Sequence, residues 1–162
     1  MTLPELRTVY EEVVEKQKAK DILYHNYLYL KQSSSKQEAL LGILQLGIDS
    51  YNQGQLEDAY SIFSKAIDFE ADADAYHNHG TVCMDLGNLR HAIHDFTAAI
   101  MFAPTYSPPY TNRGLCIAQT LADNRGLNNP QYVDIKEFAK ADLAKAIELG
   151  NAGAKQYLNA MG

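Results

Sequence analysis

The chain has 162 residues, 46% of them apolar and 21% charged, with no tryptophan and a net charge of −6. That is enough chain for one domain with its own core, in the proportions of a globular protein rather than a disordered or collagenous one. The negative charge disfavours a phosphate backbone as partner and leaves either a solvated acidic surface or a neutral or basic partner.

The first residues, Met1 to Glu12, lack a basic stretch followed by an apolar run, so a secretory signal is not expected. No window approaches the ~20 apolar residues of a membrane helix. Residues 3–31 read as helix, with apolar side chains at Leu6, Val9, Tyr10, Val13 and Val14, then Tyr24, Tyr27, Leu28 and Leu30. The pattern fits one long helix or two with a break near Asp21. Ser33, Ser34 and Ser35 read as a short joint. Residues 1–39 are thus expected to form an N-terminal helical extension. Between residues 40 and 106 nine carboxylates face two cations, Lys65 and Arg90, so the middle of the chain is an acidic block. Cys83 and Cys116 belong to no CxxC pattern and are expected to be reduced, buried thiols, which fits a cytoplasmic location.

From residue 40 the sequence repeats itself. Gly47 is followed by Gly54, Ala59, Phe63 and Ala66, and Gly80 by Gly87, Ala92, Phe96 and Ala99 at the same offsets, then by Pro104. A third block starts at Tyr110 and Gly114 and resumes with Ala139, Leu143 and Ala146. The glycines and alanines let two antiparallel helices approach closely. Gly54 and Gly87 stand where a first helix must stop, the larger residues fill the space between pairs, and Pro104 ends a second helix. About 13 extra residues, 122–134, interrupt the third block with a loop composition. Asp134 with Glu137 suggests a capping box that restarts the helix, and Asn129-Pro130 offers an earlier start.

These blocks resemble the tetratricopeptide repeat, a helix–turn–helix unit of 34 residues. The resemblance implies an all-α, right-handed solenoid of three repeats, 40–72, 73–106 and 107–150, closed by a capping helix at 151–162 in which Tyr157, Leu158 and Met161 cover the last apolar face. The first aromatic position of the motif holds Ile43, Tyr76 and Tyr110. Its interior leucine position holds Leu46, His79 and Arg113, so two polar groups stand where the family usually has leucine. The resemblance also implies a concave groove lined by first helices. Its lining would be Leu41, Leu44, Gln45, Ile48, Tyr51 and Asn52 in repeat one; Asp74, His77, Asn78, Thr81, Met84 and Asp85 in repeat two; and Pro108, Thr111, Asn112, Leu115, Ala118 and Gln119 in repeat three.

Asn78 and Asn112 are equivalent, with Gln45 at the same place in repeat one. Carboxamides carry both donors and acceptors, so such a row suits a peptide backbone. Leu41, Leu44 and Ile48 form an apolar patch, for which the expected cover is the chain's own N-terminal helix, with a partner helix or a second copy's helix as the alternatives. The members of the family that grip acidic C-terminal carboxylates use lysine and arginine. The corresponding positions here are Leu44, Ile48, Asn78, Pro108 and Asn112, so that binding is not expected.

No phosphate loop or nucleophile–base–orienter set is legible. Histidines 77, 79, 91 and 94 do not converge along the helices, so no metal is expected. Asp68, Glu70, Asp72 and Asp74 lack the glycine and closing glutamate of a calcium loop. The expectation is a protein-interaction module without catalysis or cofactor, an adaptor holding a peptide or helix. Its alternatives are a secretion chaperone of the same repeat class, or a structural protein that self-assembles through its N-terminal helix.

Overall fold

The computed structural model describes residues 1–18 and 34–162. Among these, eight α-helices and one 3-10 turn follow one another without a strand. They are α1 (Leu3–Lys18), α2 (Ser34–Asn52), α3 (Leu56–Phe69), α4 (Ala73–Asp85), α5 (Leu89–Phe102), α6 (Ser107–Asp123), the turn Pro130–Tyr132, α7 (Val133–Glu148) and α8 (Ala154–Ala160). The pairs α2/α3, α4/α5 and α6/α7 are antiparallel hairpins stacked in chain order, an all-α solenoid. Ser34 and Ser35 are the first turn of α2 and not a joint. The later half of the expected 3–31 helix, its break near Asp21, and Ser33 lie outside the described residues.

The repeat glycines do two separate jobs. Gly54 and Gly87 have φ of 76° and 77°, the left-handed backbone that ends α2 and α4. Gly47 makes room for a ring: a Cβ there would lie 2.5 Å from Phe63 Cε1. Repeat three has Leu121 where the others have Gly54 and Gly87. Its first helix therefore runs on to Asp123, and Arg125, at φ 55°, takes the left-handed conformation instead. The helix restarts from Asn129, whose side chain accepts from Gln131 N at 3.0 Å, ahead of Pro130. Asp134 is not a cap; it pairs with Arg7 of α1.

That pair belongs to the seat of α1. Leu6, Val9 and Val13 are fully buried in the main core with Ile93, Ile100, Ile117 and Ile135. Tyr10 meets Phe138 edge-on at 5.3 Å, and Glu12 holds Arg90 at 3.1 Å and His94 at 2.9 Å. α1 thus lies against second helices α5 and α7, with α6 beneath. α1 itself does not cover Leu41, Leu44 and Ile48, and the rest of the N-terminal stretch expected to cover them, 19–33, lies outside the described residues. Leu44 is buried in, and Ile48 packs against, a core cluster that repeats one and two share, and Leu41 stays 58% exposed. At the C-terminal end Ala154 and Met161 close the core, with Leu158 half-buried, while Tyr157 points outward.

Two buried polar layers join the repeats, and they are built alike. In one, Arg113 of α6 donates twice to Asp142 of α7, at 2.7 Å each, and once to Thr97 Oγ1 of α5 at 3.0 Å. In the other, His79 of α4 meets Asp95 of α5 at 2.7 Å and Ser64 Oγ of α3 at 3.0 Å. Each layer takes its centre from a first helix, its carboxylate from the same repeat's second helix, and its hydroxyl from the previous repeat. Repeat one has no repeat before it. Leu46, expected to be interior, is therefore 57% exposed at the end of the stack.

A carboxylate or guanidinium buried without its partner costs far more than the pair contributes. Asp142→Asn, which leaves Arg113 unmatched, is expected to lower stability by about 3–5 kcal/mol in urea unfolding. Arg113→Met combined with Asp142→Leu should cost distinctly less, because no uncompensated charge remains.

Candidate functional site

The face formed by α2, α4 and α6 carries the side chains that the repeat pattern assigned to a groove, and it divides them into three groups. One group is consumed by packing between repeats. Leu44 is buried in a core cluster that includes Ala75 of the next repeat, His77 packs edge-on against Tyr106 at 5.3 Å, and Thr111 accepts from Asn151 Nδ2 at 2.8 Å. These three are equivalent positions, and each meets the chain at or just before the next helix. Leu44 and Thr111, read as groove lining, are therefore packed inside the stack, 5% and 7% exposed.

The second group is polar and internally paired. Gln45 donates to Asp49 at 2.8 Å, one turn along α2. Tyr51 donates to Asp85 at 2.6 Å, linking the first two repeats, and that bond pushes the Tyr51 phenol up to about 12. Thr81 donates to the His77 carbonyl at 2.9 Å. Asp74 is exposed in the first turn of α4, whose N-cap is Asp72, accepting from Ala75 N at 2.8 Å. The Tyr106 phenol is pushed up to about 12 by burial and by Asp74 beside it. Asp72, read as part of a solvated acidic turn, is thus a helix cap.

The third group is open. Asn78 and Asn112 are half-buried on adjacent first helices, and among the described residues neither carboxamide hydrogen-bonds to another group. Leu115 is half-buried one turn beyond Asn112 and belongs to neither core cluster. Met84 and Ile48 offer partly buried apolar surface, and Asn52 is exposed at the end of α2. The open strip is neutral and amphipathic, with the Asp74 and Asp85 carboxylates near it.

Sequence reading missed one set of residues. Ser64, His79 and Asp95 form a hydroxyl–imidazole–carboxylate line, with Cys83 Sγ at 3.8 Å from His79 Nδ1. The residues come from three helices, and the signal was the pair of polar residues at the motif's leucine position. His91 and His94 stay outside it, on Asn88 and Glu12. Both cysteines are free and buried, and burial pushes both thiols up to about 12.

Residues 73–106 match the tetratricopeptide repeat family model. That segment, the hairpin α4/α5, is one tetratricopeptide repeat. Among solved structures, the tetratricopeptide-repeat domain of Arabidopsis OM64 superposes with a TM-score of 0.65 at 22% identity, over 78% of this chain and 96% of that one. The Yersinia enterocolitica type III secretion translocator chaperone SycD gives 0.64 at 20% identity, over 82% and 88%. The first such domain of Spaghetti (RPAP3), bound to the HSP90 peptide SRMEEVD, gives 0.63 at 21%, over 82% and 94%. These likenesses concern the fold. Comparison with curated proteins finds no match. Among the described residues, no helix of this repeat protein is long and apolar enough to cross a membrane.

His77 makes the groove sensitive to acid. Burial holds its imidazole down to about 4 against an ordinary 6.5, and its Nδ1 is buried without a partner. The unfolded chain therefore binds this proton first, so stability is full above pH 7 and is lost as pH falls toward 4. The loss is about 3 kcal/mol at ~1.36 kcal/mol per unit. His77→Leu, the residue that repeat one has at this place, is expected to flatten this dependence in denaturation measured from pH 7 to 4.

Proposed function

We propose that the protein is a non-enzymatic interaction module that holds an extended, neutral or basic peptide across α2, α4 and α6. The observation that carries this reading is the pair Asn78 and Asn112, equivalent on neighbouring helices and with no hydrogen-bond partner among the described residues. Leaving polar groups half-buried and unpaired is unfavourable unless water or a ligand completes them. A peptide backbone presents donors and acceptors that two carboxamides can match. Ile48, Met84 and Leu115 add apolar contact, while Asp74 and Asp85 favour cations in the ligand and repel an acidic one.

Spaghetti binds a peptide ending in Glu-Glu-Val-Asp. The positions that would grip such a carboxylate here are Leu44, Ile48, Asn78, Pro108 and Asn112, with no lysine or arginine among them. A secretion chaperone is the second reading. It is favoured by the layout shared with SycD, which was also solved with a peptide of the translocator YopD. In that case the peptide belongs to a client that is insoluble alone. Self-assembly through the N-terminal helix is less favoured, since the described part of that helix is already buried in its own chain. A cytoplasmic location accords with the free thiols.

The test is binding of wild type and the Asn78→Ala/Asn112→Ala variant to an immobilised peptide library, with light scattering to check mass and folding. Loss of two hydrogen bonds of about 1 kcal/mol each weakens binding by about tenfold or more. Neutral and basic peptides should be retained by wild type and lost from the variant, and SRMEEVD should be retained by neither. Equal retention by the two proteins would remove the asparagine groove from consideration.

A further inference from the structure

The hydroxyls of the two polar layers are placed alike. Thr97 donates to the Ile93 carbonyl at 2.7 Å and faces Arg113, which can only donate, so Thr97 Oγ1 accepts from it. Ser64 likewise donates to the Tyr60 carbonyl at 2.8 Å, and in that arrangement its oxygen accepts from His79 Nε2–H at 3.0 Å when that nitrogen carries the proton. The second ring nitrogen, Nδ1, then faces the Asp95 carboxylate at 2.7 Å, a distance bridged by a proton on Nδ1 or by a metal cation that replaces it. In the arginine layer the cation is the guanidinium. In the histidine layer a third donor atom is present: Cys83 Sγ lies 3.8 Å from Nδ1, where the corresponding residue of the arginine layer is Ile117.

We propose that His79 Nδ1, Cys83 Sγ and an Asp95 carboxylate oxygen form a binding site for a thiophilic divalent cation such as Zn²⁺. The three ligand atoms lie within 4.8 Å of one another. His79 and Cys83 stand one turn apart on α4, the spacing that places two ligands on one helix face, and Asp95 comes from α5. A tetrahedral ion at ~2.0–2.3 Å from its ligands needs only small side-chain shifts from this arrangement. Ser64 supplies the bond to the far ring nitrogen that orients a ligating histidine. Cys83, itself fully buried, stands at the wall of a pocket of about 290 Å³ formed with Glu57, Tyr60, Leu86 and Asn88, and an ion would enter from that side. On binding, the Cys83 S–H bond breaks, sulfur bonds to the metal, and the proton leaves to solvent through that pocket. The arginine layer also borders a pocket, but there the guanidinium itself is the cation and Asp142 and Thr97 already answer it.

The test is titration of the full chain with Co²⁺ as a spectroscopic stand-in for Zn²⁺. The expected result is one ion per chain with sulfur-to-cobalt charge-transfer absorption and visible ligand-field bands. Zn²⁺ should abolish both. Cys83→Ser should lose the charge-transfer band and His79→Gln should weaken binding, while Cys116→Ser keeps the wild-type spectrum. Ser64→Ala, which removes only the orienting bond, should weaken binding by about tenfold. Far-UV circular dichroism checks that each variant folds. If wild type gives no charge-transfer band, the site is closed by a proton on His79 and the proposal is wrong. It is equally wrong if the band survives in folded Cys83→Ser or disappears with Cys116→Ser.

Discussion

The bidentate contact between Arg113 and Asp142 organises the rest of the molecule. A guanidinium with 1% of its side chain exposed must have every direction of its fork answered. Asp142 answers from its own repeat and Thr97 from the repeat before. Gln17 of α1 presents its carboxamide oxygen at 3.1 Å, in the orientation that satisfies both groups. Phe138 closes the layer, with its ring 4.9 Å from the guanidinium carbon. One side chain thereby fixes the register of α6 on α7, of the third repeat on the second, and of α1 on both. A leucine at this place packs without regard to such direction, so the layer trades tolerance for a unique arrangement.

The seat of α1 decides which surface stays available. Its stripe of Leu6, Val9 and Val13 fills the cleft between the second helices, and ion pairs at Arg7 and Glu12 fasten its two sides. The described part of the N-terminal helix lies away from the open strip on the first-helix face. There the demands of stacking and of binding compete at neighbouring positions. Those nearest the following helix are consumed by packing, and those one step round the helix, Asn78 and Asn112, remain open. The acidic block has a similar double character: Asp72 caps α4 and Asp95 completes a buried layer, so only part of the negative charge is free to act on a ligand.

The glycine and alanine spacing disclosed the hairpins, since close helix approach and left-handed turns admit few other residues. Gly54 and Gly87 act as read, while the third hairpin has Leu121 in their place and turns at Arg125 instead. The restart of that hairpin was legible as two competing caps, of which Asn129 is used because Asp134 is drawn away by Arg7, a residue 127 positions distant. The groove was legible less well. Motif positions give a direction from the helix axis and not the distance to the next helix, so Leu44 and Thr111 were read as lining.

The sequence by itself determined the repeating unit, its helical hairpins and the two polar intrusions at the leucine position, because these follow from spacing along one chain. Tertiary structure alone decided what the intrusions meet and where α1 goes. Ser64, His79 and Asp95 lie on three helices, and Arg113 meets Asp142 across 29 residues. Which cleft receives α1 depended on the gap that the second helices leave between them. Both outcomes are set by complementarity between surfaces that exist only once the repeats have stacked.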